Sequence, residues 1–123
     1  MKPKEPRNLY ELKPRRLVEW EMGKDNRVTL LIPKFRKGFM ARTIQPRLRR
    51  PLFRVNLDEF GSFVWISCDG KADVRSIGEE MMDKFGPAAE PVYDRIGQFL
   101  RQLESSKFID FPDSSANLHK NLP

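Results

Sequence analysis

The side chains that could do chemistry in this chain are few and far apart. The sequence has one cysteine, Cys68, and one histidine, His119, which lies in a polar tail. A catalytic nucleophile needs a base beside it, and these positions predict no nucleophile–base pair. One cysteine also cannot form an intramolecular disulfide or assemble a zinc site by itself. We therefore expect a protein that is not an enzyme, with no catalytic residue, no metal site and no cofactor.

The carboxylates at residues 58–59 and 69 are better explained by a helix cap and a turn than by acid–base catalysis. Asp58-Glu59 stands where a helix is predicted to begin, and acidic side chains there accept hydrogen bonds from the free N–H groups of the first turn. Asp69-Gly70 indicates a turn, since a calcium loop needs several oxygen ligands at alternating positions. These carboxylates consequently predict local structure and not a reaction.

Composition indicates one globular domain without a membrane segment. The chain has 123 residues, of which 39% are hydrophobic and 33% are charged, and its net charge is +6. That length and apolar content are enough for one hydrophobic core. No stretch approaches the ~20 apolar residues that a membrane span needs, and the first residues lack a signal-peptide pattern. We expect a cytoplasmic protein with no membrane partner, and its positive charge favours acidic partners.

Alternation of apolar and polar residues predicts three strands. Residues 17–33 alternate in this way on both sides of a turn sequence at 23–26, which predicts a β-hairpin. A third strand is predicted over about 52–56, where apolar residues again alternate with polar ones. Residues 34–51 are basic and interrupted by prolines, so only an irregular connection is predicted there.

Apolar residues at helical spacing predict three helices after the strands. The first covers about residues 58–68. The second covers about 74–85, with Asp73 as its N-cap and Gly86 at its end. The third begins near 89–91 and carries a continuous apolar stripe formed by Val92, Ile96, Phe99, Leu100 and Leu103. A short extended segment follows, around residues 108–111.

Three strands followed by three helices is the order found in small winged-helix-like domains. The fold class is therefore predicted to be α+β and winged-helix-like, with an N-terminal three-stranded antiparallel β-sheet followed by a three-helix bundle. An extended or disordered N-terminal arm is expected at residues 1–15, the domain at 16–111, and a disordered polar tail at 112–123.

One series of residues indicates a narrower group of proteins than the fold class does. It runs through Val55-Asn56-Leu57-Asp58-Glu59-Phe60-Gly61, Val64-Trp65, Asp69-Gly70, Val74, Ile77, Met81, Phe85, Phe99-Leu100, Leu103 and Phe108-Ile109. In order and spacing the series resembles the PqqD family over about residues 53–111. Relatives in that family are known as peptide-recognition elements, which hold the leader of a ribosomally made precursor peptide and present it to a modifying enzyme.

The resemblance implies that a peptide is captured by β-strand addition at the exposed edge of the third strand, beside the third helix. The implied peptide-binding residues are Phe53, Arg54, Val55, Asn56 and Leu57 on the strand, and Val92, Arg95, Ile96 and Phe99 on the helix. Ile96 and Phe99 are better explained as core residues than as peptide contacts, whereas Arg95 is expected to be exposed. The implied partners are the precursor (leader) peptide and a separate maturase of the radical-SAM type. A homodimer with exchanged strands is left open.

The basic segment at 34–54 supports a second interpretation, a winged-helix nucleic-acid-binding protein. Clustered arginines on one face are able to contact phosphates. A recognition helix should, however, present polar and basic side chains to base edges. The third helix instead carries acidic side chains such as Asp94 and Glu104 among its basic ones. Nucleic acid is therefore the less favoured partner.

Overall fold

The structure, a computed structural model, describes residues 8–34 and 52–112. In chain order its elements are a 3-10 helix (Leu9–Glu11), β1 (Arg15–Arg16), β2 (Glu19–Met22), β3 (Val28–Pro33), β4 (Leu52–Asn56), α1 (Glu59–Ser67), α2 (Val74–Phe85), a second 3-10 helix (Gly86–Ala89), α3 (Val92–Ser105) and β5 (Ile109–Asp110). These residues divide into two compact units. The sheet unit comprises residues 18–34 and 52–62, and the helical unit comprises residues 8–17 and 63–112.

The sheet unit is built on a three-stranded antiparallel sheet with the order β2-β3-β4. Trp20 of β2 lies opposite Leu30 of β3, and Leu30 in turn lies opposite Val55 of β4. Alternation along β3 places Val28, Leu30 and Ile32 on one buried face, as a period of two residues requires. The hairpin and the third strand predicted from the sequence are both confirmed.

Turn and cap residues determine where the elements of the sheet unit begin and end. The N–H of Gly23 donates to the carbonyl of Arg27 at 2.8 Å and closes the hairpin. Asn26 adopts a φ of 63°, a left-handed conformation in which asparagine is enriched. At the start of α1, Oδ1 of Asp58 accepts a hydrogen bond from the N–H of Gly61 at 2.7 Å. This contact confirms Asp58 as the N-cap.

In the helical unit, α2 and α3 bury the apolar stripes that the sequence predicts. Asp73 caps α2 by accepting a hydrogen bond from the N–H of Ser76 at 2.9 Å, and Gly86 ends the helix with a φ of 60°. The predicted range of α2 coincides with the observed one. The buried residues are Val74, Ile77, Gly78 and Met81 on α2, and Val92, Ile96, Gly97, Leu100 and Leu103 on α3.

Residues 8–17 also belong to the helical unit, although the sequence suggests an arm over residues 1–15. Leu12 and Pro14 are buried, and β1 pairs antiparallel with β5. The Arg15 guanidinium binds the Asp110 carboxylate through two hydrogen bonds, Nε to Oδ1 at 3.0 Å and Nη2 to Oδ2 at 2.7 Å. The sequence pattern does not predict this pairing, because each strand contributes only two residues.

A three-stranded antiparallel sheet followed by three helices confirms the predicted α+β class. The predictions for residues 1–7, 35–51 and 113–123 fall outside the described residues. Of the helices in the described ranges, none is both long enough and apolar enough to cross a membrane.

Candidate functional site

Among the described residues the sheet has two free edges, on β2 and on β4, and the predicted peptide-binding residues of the sheet lie at the edge of β4. Within residues 8–34 and 52–112, β4 pairs with β3 on one side and with no strand on the other. Such an edge exposes backbone N–H and C=O groups that are able to pair with another extended chain. The predicted peptide-binding residues of the strand lie on β4 or directly after it: Phe53, Arg54, Val55, Asn56 and Leu57.

The hydrogen-bond pattern determines which backbone groups of β4 face outward. The N–H of Leu57 donates to the carbonyl of Val28 at 2.9 Å, so Leu57 occupies a hydrogen-bonded position of the β3–β4 pair. Such positions alternate along an antiparallel pair. Val55 therefore bonds to β3, whereas the N–H and C=O groups of Arg54 and Asn56 point toward the free side.

Two further observations agree with this assignment. Pro33, which has no N–H, lies opposite Leu52, where the β3–β4 pair needs no hydrogen bond. On the other side of β3, the bond from Gly23 to Arg27 starts the β2–β3 ladder. That ladder consequently uses the residues of β3 that the β3–β4 ladder leaves free.

A serine of α1 holds the end of the β3–β4 ladder. The Ser62 hydroxyl accepts a hydrogen bond from the N–H of Val28 at 2.8 Å and donates to the carbonyl of Leu57 at 3.4 Å. Ser62 is buried, so its hydroxyl replaces water for these two backbone groups. Ser62 is not among the residues predicted from the sequence to have a role. Its signal in the sequence is a polar residue on a helix whose other buried side chains are apolar.

The inner face of the sheet, defined as the side with the buried residues of β3, carries Phe53, Val55 and Leu57. Phe53 lies opposite Ile32 and is 55% exposed. The Lys34 ammonium lies 5.1 Å from the centre of its ring. Val55 is half-buried and Leu57 is buried. Phe53 thus gives the free side of β4 an exposed apolar surface.

The outer face, which is the opposite side of the sheet, carries polar contacts between strands. Nη1 of Arg54 on β4 donates to Oε2 of Glu21 on β2 at 2.7 Å. The Thr29 hydroxyl donates to Oδ1 of Asn56 at 2.8 Å. The side chains of Arg54 and Glu21 are 57% and 52% exposed, so their ion pair contributes little to stability. The outer face therefore has a basic side chain beside the free edge.

The other predicted peptide-binding residues lie on α3 in the helical unit. Val92 and Ile96 are buried there, which supports the core-packing interpretation of Ile96. Phe99 is half-buried. Arg95 is only partly exposed, and its Nη1 donates to the carbonyl of Ala88 at 2.9 Å. A peptide contact by these four residues stays a prediction, and Arg95 and Phe99 have the exposed surface for it.

Comparison with known proteins finds one family model that matches part of the chain. Residues 54–109 match the family model described as coenzyme PQQ synthesis protein D (PqqD). This part of the chain is similar to the PqqD family, and it makes up a little under half of the sequence. The match begins on β4 and ends on β5, and it confirms the resemblance found over residues 53–111. It supports an accessory, non-catalytic role of the PQQ-synthesis type. No curated protein and no solved structure gives a significant match.

The one cysteine of the sequence is poorly suited to nucleophilic chemistry. Cys68 is fully buried, and its thiol donates to the carbonyl of Val64 at 3.2 Å. Burial raises the pKa of the thiol to about 12. The reactive thiolate is therefore scarcely populated at neutral pH. Among the described residues, no group of three or more His, Cys, Asp or Glu side chains is placed to hold a metal ion.

Proposed function

We propose that this protein captures the leader of a ribosomally made precursor peptide by β-strand addition and presents it to a separate modifying enzyme. The observation that carries the proposal is the side of β4 that no other described strand covers, where the backbone groups of Arg54 and Asn56 face outward in the part of the chain that matches the PqqD family. An uncovered strand edge invites unwanted association. Its presence in an accessory protein is explained if a peptide covers it during use.

An extended peptide along β4 makes two kinds of contact. Its backbone pairs with the outward-facing N–H and C=O groups, and these bonds form with almost any sequence. Alternate side chains of the peptide face the inner side of the sheet, where the exposed ring of Phe53 and the half-buried Val55 offer apolar surface. The backbone bonds thus hold the peptide, and the alternate side chains select it.

The chemical modification belongs to another protein in this proposal. The PqqD family is non-catalytic, and the Cys68 thiol is buried. We assign the modification to a maturase of the radical-SAM type, which acts on the peptide while this protein holds the leader. Arg95 and Phe99 on α3 are proposed as additional contacts to the same peptide.

The proposal is tested by titrating the isotope-labelled full chain with a candidate leader peptide and following the backbone amide signals. Shifts at residues 52–57 are expected, and shifts at Arg95 and Phe99 are expected if α3 also contacts the peptide. A parallel titration uses duplex DNA at several salt concentrations. Signals that shift with any DNA and recover as salt is raised, with no response to the peptide, would favour a nucleic-acid-binding protein instead.

Proline variants separate backbone pairing from side-chain contacts. Arg54→Pro removes an N–H that faces the free side, where proline is tolerated on an edge strand, and Arg54→Ala is its control because it removes only the side chain. We expect Arg54→Pro to weaken peptide binding about two- to tenfold more than Arg54→Ala, the value of one net hydrogen bond. Val55→Pro should instead unfold the sheet, because the N–H of Val55 faces β3. Equal affinities of the two Arg54 variants would contradict strand addition at this edge.

A further inference from the structure

The ion pair on the outer face crosses the whole sheet. Arg54 lies on β4 and Glu21 on β2, so the Arg54 side chain reaches back across β3 to make its 2.7 Å contact. Neighbouring strands are about 4.8 Å apart, and this pair therefore spans two strand spacings. Because both side chains are more than half exposed, the contact is made in water and is readily exchanged for another.

We infer that Arg54 selects an acidic residue of the bound peptide and that Glu21 competes with that residue for the guanidinium. The inference rests on the peptide capture proposed above and adds the class of peptide that the site takes. It makes the cross-sheet ion pair an internal competitor, which occupies the guanidinium when no peptide is bound.

The outward orientation of the Arg54 backbone places a peptide residue directly opposite it. At such a hydrogen-bonded position the two Cα atoms are about 5.5 Å apart, and both side chains lie on the same face of the sheet. An aspartate or glutamate at this peptide position is therefore one strand away from Arg54, whereas Glu21 is two strands away. The peptide carboxylate is therefore better placed than Glu21 to bind the Arg54 guanidinium.

The same register specifies the neighbours of the acidic residue. Peptide residues on either side of it have side chains on the inner face, next to Phe53 and Val55, because side chains alternate along a strand. Phe53 is 55% exposed and favours an apolar partner. The recognised segment is thus an acidic residue between two apolar residues in an extended peptide.

The energetics of cross-strand pairs give the size of the effect. An opposite-charge pair directly across two strands contributes roughly 0.2–1 kcal/mol, which corresponds to an affinity change of up to about fivefold. Neutralising Glu21 removes the competitor, so Glu21→Gln should tighten the binding of acidic peptides by up to about fivefold. The same change should leave a glutamine analogue of the peptide unaffected.

The test uses the full chain and a phage-displayed library of random ten-residue peptides, selected in parallel on the wild type, Glu21→Gln, Arg54→Gln and Arg54→Glu. Glu19→Gln is the matched control, because Glu19 is a glutamate of the same strand two residues away and its replacement changes the net charge by the same amount. Enriched peptides are then synthesised with the acidic residue in place or shifted by one position, and their affinities are measured.

The expected result is enrichment of apolar–acidic–apolar segments on the wild type, loss of the acidic preference with Arg54→Gln, and a preference for basic residues with Arg54→Glu. Glu21→Gln should tighten binding of the acidic peptide while Glu19→Gln does not. An acidic preference that survives Arg54→Gln, or a peptide that binds equally well with its acid shifted, overturns the inference while leaving peptide capture intact. A wild type that enriches no alternating peptide overturns peptide capture itself.

Discussion

Replacing Ser62 by alanine should destabilise the protein more than the loss of one hydroxyl suggests. The hydroxyl accepts the N–H of Val28 at 2.8 Å, and Val28 is 0% exposed. Alanine offers no acceptor, and water has no access to that N–H. The substitution therefore leaves a buried donor without a partner at the point where the β3–β4 ladder meets α1.

The size of the effect follows from three contributions. A buried donor without an acceptor costs about 1–3 kcal/mol. The bond from Ser62 to the carbonyl of Leu57 is long, at 3.4 Å, and its loss adds little. The higher helix propensity of alanine offsets roughly 0.5 kcal/mol. We expect a net loss of about 0.5–2.5 kcal/mol, which lowers Tm by roughly 2–15 °C.

The assay is urea unfolding followed by circular dichroism, with Ser67→Ala as the control. The Ser67 hydroxyl donates to the carbonyl of Phe63 on the same helix at 3.0 Å, a carbonyl that also accepts the helical N–H four residues later. Its removal leaves no buried group without a hydrogen-bond partner and should lower the free energy of unfolding by less than about 0.5 kcal/mol. Equal losses in the two variants would refute the reasoning, because the N–H of Val28 would then have another acceptor.

Three further predictions concern the helical unit. Cys68 should resist alkylation by iodoacetamide at pH 8 in the native protein and react rapidly in urea, because burial raises its pKa to about 12; rapid native labelling would contradict that burial. Gly78→Ala should destabilise the protein by about 1–3 kcal/mol, since a Cβ there would overlap the ring of Tyr93; the same change in a Tyr93→Ala background should be neutral or stabilising, and equal losses in both backgrounds would exclude the clash. The N–H groups of Ala72 and Lys71 lower the pKa of Asp69, and the N–H of Ser76 lowers the pKa of Asp73. A lowered folded pKa adds stability above the unfolded value, near 3.8, and that stability is lost as pH falls through the folded pKa. Asp73→Asn keeps an acceptor for the helix cap but cannot titrate, so the free energy of unfolding should depend less on pH below about pH 4. An unchanged pH dependence would contradict the lowered pKa of Asp73.

The parts of the fold that a local pattern encodes could be predicted from the sequence. The period of two residues located β4, and the caps at Asp58 and Asp73 located two helix starts. Each of these signals acts over a few neighbouring residues, so it is visible without any tertiary structure. The apolar stripe of α3 likewise predicted a buried face, and Ile96 lies within it.

Contacts between distant segments could not be predicted in the same way. The β1–β5 pair joins residues that are 95 positions apart, as in the contact of Arg15 with Asp110, and two-residue strands leave no periodic signal. Ser62 is a single polar residue whose role depends on which backbone groups come near it. The contact of Arg54 with Glu21 also depends on strand order and register, which alternation alone does not determine.

The family match begins at Arg54 on β4. The edge of β4, however, depends on β2 and β3, which lie outside the match. The Thr29 hydroxyl binds Asn56, and the Val28 carbonyl binds the N–H of Leu57. Without β3, a fragment of residues 54–109 loses these partners, and the three residues of β4 that it keeps do not form a stable strand in water. Strand addition therefore requires β3 even though the match omits it. If Glu21 competes for Arg54 as inferred, β2 also affects which peptide is accepted, and the specificity of this protein lies partly in residues outside the family match.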